Sequence, residues 1–236
     1  MKLVSYLHYF FYIAWNWNPI LASFIIYYEI KGERKYHINT IGENELKSLK
    51  ARGIDISHFH IYMPVNYYVL EHLMQEIVRF NGNKTFLDIG CGKGRVLIVA
   101  ATYGFEHITG VDISEEFCDE AEAITQRYSS KNPQADFTIV NVDACKYDIP
   151  NEVTTIFLFN PFDEIIMNEV VNNIIKSQHR CSRDIRVIYA YPEHKSIFLE
   201  HGFVETFCLK KWNHFEGVIL HLVGKLTPQT QNMASS

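Results

Sequence analysis

A short apolar run followed by glycines at every second position is the feature that most constrains this chain. In the stretch TFLDIGCGKGRVLIVAA, residues 85–101, an apolar run leads to Asp88, then to Gly90, Gly92 and Gly94, and then to a second apolar run. Glycine adopts backbone conformations that other residues avoid, so this spacing predicts a tight turn between a buried strand and a helix. A ligand bound at that turn would meet bare backbone beside an acidic side chain.

From residue 84 onward, short apolar runs alternate with amphipathic segments. Runs such as VTTIFLF and IRVIYAY are typical of strands that are buried on both faces of a parallel sheet. The pattern predicts strands at 85–89, 107–111, 136–141, 153–159 and 185–191. It predicts helices at 93–103, 114–129, 163–178 and 193–201, and an amphipathic helix over Val65–Phe80 before the first strand.

The C-terminal part follows a different pattern. GFVETFCLKKW and EGVILHLVGK are two strand-like segments around a loop at about Asn213–Glu216, which indicates an antiparallel hairpin at the sheet edge. We therefore predict an α/β fold with a doubly wound, mostly parallel seven-stranded sheet. Ligands bind such sheets outside the carboxyl ends of the strands, so the functional residues are expected there.

The N-terminus carries no Asp, Glu, Lys or Arg from Leu3 to Tyr28, a length that could cross a bilayer. However, Asn18 followed by Pro19 is typical of a helix start, and predicts two short helices, about Val4–Trp15 and Pro19–Ile30. Three roles remain open for these helices: packing on the rest of the protein, peripheral membrane contact through residues 3–28, and a true span. The polar stretch after them is predicted to be a linker leading into a helix near Glu43–Arg52.

The composition of the chain indicates which classes of partner and ligand to expect. Of 236 residues, 47% are hydrophobic and 21% charged, and the net charge of −5 offers no basic surface, so no nucleic-acid partner is expected. Five scattered cysteines without metal-ligand spacing indicate reduced thiols and a cytoplasmic protein. His58 and His60 have no accompanying acid or cysteine cluster, and we predict no metal site.

The acid before the glycines distinguishes between two classes of ligand. A dinucleotide-binding turn would need a third glycine where this chain has Arg95, and Asp88 would gain nothing from a pyrophosphate. An acid there suits a ligand that carries a cation, such as the ammonium of an amino acid. S-adenosylmethionine has an ammonium, a ribose and an adenine, and no phosphate. Lys93 and Arg95 are predicted to be a solvated or a helix-flanking pair rather than ligands.

Two further acids follow the second and third predicted strands. Asp112, in TGVDIS, is placed to accept hydrogen bonds from both ribose hydroxyls, and Asp143, in NVDACKYD, from the adenine amino group. Other roles remain open, because Asp112 could cap the helix that starts at Ser114 and Asp143 could be an ordinary turn acid.

On these residues the chain resembles the class I S-adenosylmethionine-dependent methyltransferases, over about Tyr62–Gly224. LDIGCGKGR looks like the glycine loop of that family, and GVDIS looks like its ribose-binding acid. The resemblance implies a Rossmann-like methyltransferase fold and S-adenosylmethionine as the cofactor. It implies cofactor contacts from Tyr62, Asp88, Gly90, Cys91, Gly92, Gly94, Asp112, Ile113, Asp143, Ala144 and Asn160.

The segment FLFNPFDE resembles the N-P-P-Y/F element of methyltransferases that modify nitrogen atoms, although it has one proline instead of two. The resemblance implies that Asn160 and the following carbonyl accept hydrogen bonds from the target, that Pro161 stiffens the backbone, and that Phe162 stacks on the target. These three are the predicted catalytic residues. Asp163 is a candidate base, or a cap of the next helix.

Upstream, Tyr62 and Pro64 resemble the Tyr-x-Pro element of some protein lysine methyltransferases. We therefore expect a methyltransferase with a nitrogen acceptor, and a protein lysine is the acceptor that this element suggests. A small amphipathic metabolite or lipid is the alternative acceptor, and a cofactor-binding interaction module without catalysis is the alternative of another class. The expected organisation is an N-terminal helical extension at 1–60, acting as substrate cap or interfacial segment, a catalytic domain at 61–226 and a disordered tail at 227–236.

Overall fold

The computed structural model describes residues 6–7, 10–11, 13–15, 18–40, 64–80, 84–159, 162–212 and 214–224. Several predictions fall outside these residues, namely the helix near Glu43–Arg52, the domain boundary at 60–61, the tail at 227–236, and the side chains of His58, His60, Tyr62, Asn160 and Pro161. They stay predictions.

Seven strands form one sheet in the order β3-β2-β1-β4-β5-β7-β6. The first five run parallel: β1 (Thr85–Ile89), β2 (His107–Asp112), β3 (Asp136–Asn141), β4 (Thr155–Phe159) and β5 (Ile185–Ala190). The last two, β6 (Val204–Lys211) and β7 (Phe215–Leu222), form the antiparallel hairpin. The predicted doubly wound sheet with its C-terminal hairpin is confirmed.

Helices cover both faces of this sheet. The longer ones are α1 (Pro19–Tyr36), α2 (Tyr67–Ile77), α3 (Arg95–Thr102), α4 (Glu115–Ser129), α5 (Glu164–Arg180) and α6 (Lys195–Glu200). Short 3-10 turns follow α2, at Val78–Phe80, and β3, at Ala144–Lys146. After residue 84 every predicted helix is present within about two residues of its predicted ends, because its apolar periodicity is local in the sequence. All five cysteines carry free thiols.

Helix α1 begins where the sequence predicts it. Asn18 is the N-cap, its side-chain oxygen accepts a hydrogen bond from the Leu21 backbone N–H at 2.7 Å, and Pro19 is the first helical residue. The predicted end at Ile30 is wrong, because the helix continues to Tyr36. None of the helices in the described ranges combines the length and apolar character that crossing a bilayer requires.

The extension of α1 has a packing cause that its polar sequence conceals. Tyr36 is buried and its hydroxyl donates to the Glu71 carboxylate at 2.7 Å, while Lys35 Nζ lies 2.6 Å from the same carboxylate oxygen. Gly32 is buried against the ring of Tyr67. The last two turns of α1 are therefore held by contacts with α2 rather than by helix propensity.

Side chains of the sheet alternate between two apolar cores. Phe86 and Phe157 point into the core shared with α1, α2 and α3, whereas Leu87 and Leu158 point into the core shared with α5 and α6. Both cores are closed because the strands are apolar on both faces, as a parallel sheet requires.

The strand order places the ligand crevice beside β1. Successive connections run from β1 outward to β2 and β3, and then cross to β4 on the other side of β1. Binding sites in doubly wound sheets lie at this reversal, outside the carboxyl ends of the strands. We call this side the carboxyl edge: the residues that follow β1–β5, together with the β6–β7 turn. The turn belongs to it because Gly217 of β7 pairs with Ala190 at the end of β5.

We expect Gly32→Ala to destabilise the protein. A Cβ at position 32 would lie 2.2 Å from ring carbons of Tyr67, whose side chain is fully buried and has no room to move. Such overpacking costs about 1–3 kcal/mol in the free energy of unfolding, measured by urea titration. Ser23→Ala on the exposed side of α1 is the control. A gain in stability, as Ala gives in an exposed helix, would contradict the close α1–α2 contact.

Candidate active site

The glycine loop has the backbone that its sequence predicts. Gly90, Gly92 and Gly94 have φ of 82°, 51° and 81°, in the left-handed region that favours glycine. The N–H groups of Gly90 and Cys91 donate to the Val111 carbonyl at 2.8 and 3.0 Å, which fixes the loop against the end of β2. The loop therefore exposes backbone at Gly90 on the carboxyl edge, whereas Gly92 and Gly94 are buried.

Asp112 joins this loop to the end of β2. One of its carboxylate oxygens accepts from the Gly92 N–H at 2.8 Å, and the other accepts from the Ser114 N–H at 2.9 Å. The cap of α4 is Ser114, whose hydroxyl accepts from the Phe117 N–H at 3.3 Å, so Asp112 is not the helix cap. A carboxylate oxygen accepts more than one hydrogen bond, so both oxygens retain capacity for ribose hydroxyls.

Asp88 is the buried acid beneath the loop. Its side chain lies in β1 with 2% exposure, and its Oδ2 has no hydrogen-bond partner within the described part of the chain. Burial raises the pKa of the Asp88 carboxyl well above its ordinary value, and the charge of Asp112 raises it further. A buried acceptor without a partner is costly, and a ligand that brings a cation or an N–H would relieve that cost.

Asp143 lies after β3 and makes a local turn. Its carboxylate accepts from the Cys145 N–H at 3.0 Å and lies 3.6 Å from Lys146 Nζ. The turn role that the sequence left open is therefore present, and contact with adenine stays a prediction. Ile113 and Ala144 are half-buried next to the two acids. The side-chain amide of Asn141, which the sequence did not single out, donates to the Asp112 carbonyl at 3.0 Å and ties the end of β3 to the end of β2.

The segment after β4 gives a mixed result for the predicted catalytic residues. Phe162 is 5% exposed and belongs to the core on the α5 side, so its ring offers little surface for stacking on a target, and that role stays a prediction. Asp163 caps α5, accepting from the N–H groups of Ile165 and Ile166 at 3.1 Å each. The cap role of Asp163 is the one observed.

Of the two alternatives predicted for Lys93 and Arg95, the solvated pair is wrong, while both residues do flank the start of α3. Both side chains are buried. The Lys93 ammonium pairs with Glu120 of α4 at 2.8 Å. The Arg95 guanidinium pairs with both carboxylate oxygens of Glu29, one of them at 3.0 Å. Both acids are distant in sequence, so local pattern could not indicate these partners.

Arg95 also binds neutral groups, so its donors are well used. It donates to the Thr40 hydroxyl at 2.6 Å and to the Val65 carbonyl at 2.8 Å, and its guanidinium stacks 4.2 Å from the centroid of the Tyr67 ring. Burial raises the pKa of Glu29, and the Arg95 guanidinium opposes that shift. Because Arg95 is the first residue of α3, directly after the glycine loop, this cluster connects the loop to α1 and α2.

Comparison with known proteins identifies the family. A family model described as a methyltransferase domain matches residues 80–199, just over half of the chain. The chain belongs to the methyltransferase domain family. It is a class I, S-adenosylmethionine-dependent methyltransferase, and the interaction module without catalysis is set aside. A sequence search of curated proteins gave no match.

Solved structures of low sequence identity share the fold of this methyltransferase. A precorrin-6y C5,15-methyltransferase from Geobacter metallireducens has 15% identity and a TM-score of 0.51, over 73% of this chain and 97% of that chain. An N-methyltransferase from Bradyrhizobium japonicum in complex with S-adenosyl-L-homocysteine has 11% and 0.50, over 66% and 86%. An RNA methyltransferase from Salinibacter ruber with the same ligand has 17% and 0.50, over 70% and 97%. Their acceptors differ, so the fold leaves the acceptor of this methyltransferase open.

The residues present fit S-adenosylmethionine. The unpartnered oxygen of Asp88 suits the ammonium of the methionine part, and the exposed backbone of Gly90 lies beside it in the chain. Asp112, at the end of β2, carries the acceptor oxygens that a ribose would need. The bound cofactor would supply an electrophilic methyl group, already activated by its sulfonium. The contribution of this chain is to bind and orient it.

Asp112→Ala should weaken S-adenosylmethionine binding at least about tenfold, or about 1.4 kcal/mol, as measured by calorimetry. The substitution removes the ribose acceptor and also the acceptor that holds the Gly92 N–H. Asp136→Ala is the control, since this exposed acid begins β3 at the opposite edge of the sheet. Unchanged affinity in the Asp112 variant would remove Asp112 from the site.

Glu29→Gln should lower the free energy of unfolding by about 3–5 kcal/mol, because it leaves the buried Arg95 guanidinium without a counter-charge. The matched control is Glu106→Gln, which breaks a surface pair with Lys84 and should cost less than about 1 kcal/mol. Urea unfolding measures both. Equal, small losses would contradict a stabilising role for the buried pair.

Proposed function

We propose that this methyltransferase transfers the methyl group to a nitrogen atom, and that the acceptor is a protein lysine. The observation that carries the proposal is the position of β4. Asp88 pairs with Phe157 and Ile89 with Leu158, so β4 runs parallel to β1 and the two strands end side by side. The N-P-F segment starts directly after β4 in the sequence.

This position suits an amine acceptor. An amide oxygen and a backbone carbonyl accept hydrogen bonds from the N–H groups of a neutral amine, which directs the nitrogen lone pair toward the methyl carbon. In the transfer, the nitrogen–carbon bond forms as the carbon–sulfur bond breaks, and the sulfide leaves with the bonding electron pair. The lysine ammonium must lose one proton before the transfer, and because Asp163 is engaged as the cap of α5, this proton goes to solvent.

Two aromatic rings near the end of β4 also favour a lysine side chain as the acceptor. Phe159, the last residue of β4, contacts Tyr191 after β5 with ring centroids 5.4 Å apart. Both rings are half-buried at the carboxyl edge. Rings of this kind pack well on the aliphatic part of a lysine side chain.

A second acceptor class has an observation of its own. Large apolar side chains are exposed on the N-terminal helical residues, with Trp15 at 91% and Ile20 at 73% exposure, and Phe11 is also exposed. Exposed apolar side chains of this size favour contact with a membrane or an apolar ligand. We therefore keep a small amphipathic metabolite or lipid as the second candidate, with peripheral membrane contact through residues 3–28.

A methyl-labelling experiment distinguishes the two classes of acceptor. The protein is incubated with methyl-labelled S-adenosylmethionine and lysate of its host, and protein, nucleic-acid, lipid and small-molecule fractions are counted. Label in protein, recovered as methylated lysine, supports the proposal. Label in lipid or small molecules supports the second candidate, and label in nucleic acid contradicts both.

Asn160→Ala should reduce turnover by about 100-fold while cofactor affinity stays within about threefold, because the main proposed role of the side chain is to orient the acceptor and its cofactor contact is the smaller one. Turnover is followed by release of S-adenosylhomocysteine, and affinity by calorimetry. Asn132→Ala, an exposed position before β3, is the control. Loss of cofactor binding would instead assign Asn160 to the cofactor site.

A further inference from the structure

Three aromatic rings surround the ammonium of Lys211. Its Nζ lies 4.7 Å from the ring centroid of Trp212, 4.9 Å from that of Tyr68 and 5.0 Å from that of Phe24. All three distances are within the range of a cation–π contact. The rings come from the β6–β7 turn, from α2 and from α1, so the cluster forms only in the folded protein.

The rings alone hold this cation in the described part of the chain. No carboxylate there lies in ion-pair range of Lys211, whereas the neighbouring Lys210 has Glu216 at 3.9 Å. Phe24 also contacts Tyr68, Trp212 and Phe215, at centroid distances of 5.2, 4.9 and 4.9 Å. The rings therefore support one another around the ammonium.

The cluster lies at the carboxyl edge. The Tyr191 N–H, just after β5, donates to the Glu216 carbonyl at 2.9 Å, which brings the β6–β7 turn against the end of β5. The β5 strand neighbours β4 in the sheet, and the N-P-F segment follows β4. The rings are thus on the acceptor side of the molecule.

The backbone of Trp212 carries strain. Its φ is 54°, in the left-handed region, where a bulky residue is rare and costly, and its side chain is 52% exposed. Neither burial nor a favourable turn conformation explains a tryptophan at this position. The position of its ring over the Lys211 ammonium explains it.

From this geometry we infer that Phe24, Tyr68 and Trp212 form a cage for a methylated ammonium group, and that Lys211 occupies the cage when no ligand is present. A primary ammonium is strongly hydrated and loses hydrogen bonds among rings, whereas methyl groups on nitrogen fit aromatic faces and lose little hydration. A methylated ammonium therefore competes well with Lys211, whose half-exposed side chain can swing into solvent.

The cage deepens the proposed function, and the biological role of the cage rests on that proposed function. If the acceptor is a lysine, its methylated product is the ligand the cage prefers, and the enzyme retains that product at the acceptor side. If the acceptor is a small amphipathic amine, the same chemistry comes from a quaternary head group. Binding to the cage itself needs no methyl transfer.

The test is calorimetric titration of the cofactor-free protein with a trimethyl-lysine peptide, with choline, and with the matched unmethylated peptide. We expect the methylated ligands to bind and the unmethylated peptide to bind at least about tenfold more weakly. The tighter of the two methylated ligands identifies the source. Absence of binding by both would overturn the inference, whatever the labelling experiment gives, so the two proposals fail separately.

Variants define the cage. Lys211→Met should strengthen binding about tenfold, which corresponds to Lys211 occupying the cage about 90% of the time. Lys210→Met, beside it and outside the cage, should change nothing. Trp212→Leu should abolish binding and Trp212→Phe should retain it, with circular dichroism confirming that both fold. Equal affinity in Trp212→Leu and the parent protein would overturn the inference.

Discussion

The buried ion pair between Arg95 and Glu29 is the contact on which the arrangement of the site depends. Two charges inside the protein are tolerated only when their hydrogen-bonding groups are used, and Thr40 and Val65 accept the remaining Arg95 donors. The pair lies at the first residue of α3, where the cofactor loop ends. The contact that anchors helix α1 therefore also holds the end of the loop, while Asp112 holds its middle at Gly92.

Most of the fold follows from local pattern. Strands β1 to β5 and helices α3 to α6 lie within a few residues of their predicted positions. Their signals, fully apolar runs and helical periodicity, depend only on residues that are close in the sequence. Helix α1 exceeds its prediction by six residues, since its last turns are stabilised by Glu71, a partner far along the chain. Contacts of that kind leave no trace in a local window.

The residues of the candidate site also fall into those that local sequence predicts and those that it does not. The glycine spacing and Asp112 could be predicted, because backbone conformation and one acid at a strand end are local signals. The partners of Lys93 and Arg95, and the bond from Asn141, could not, since each joins segments that only the fold brings together. The aromatic cage belongs to this second group, with rings at positions 24, 68 and 212.

Helix α1 contacts two distant parts of the carboxyl edge. Its Glu29 reaches the start of α3 beside the cofactor loop, and its Phe24 reaches the β6–β7 turn. Five residues separate these two contacts, a rise of about 7.5 Å along the helix axis. Helix α1 therefore fixes the distance between the start of α3 and the β6–β7 turn. One residue inserted between Phe24 and Glu29 would rotate one contact by about 100° relative to the other. Insertions and deletions in this part of α1 would therefore break one of the two contacts, whereas loops elsewhere tolerate them.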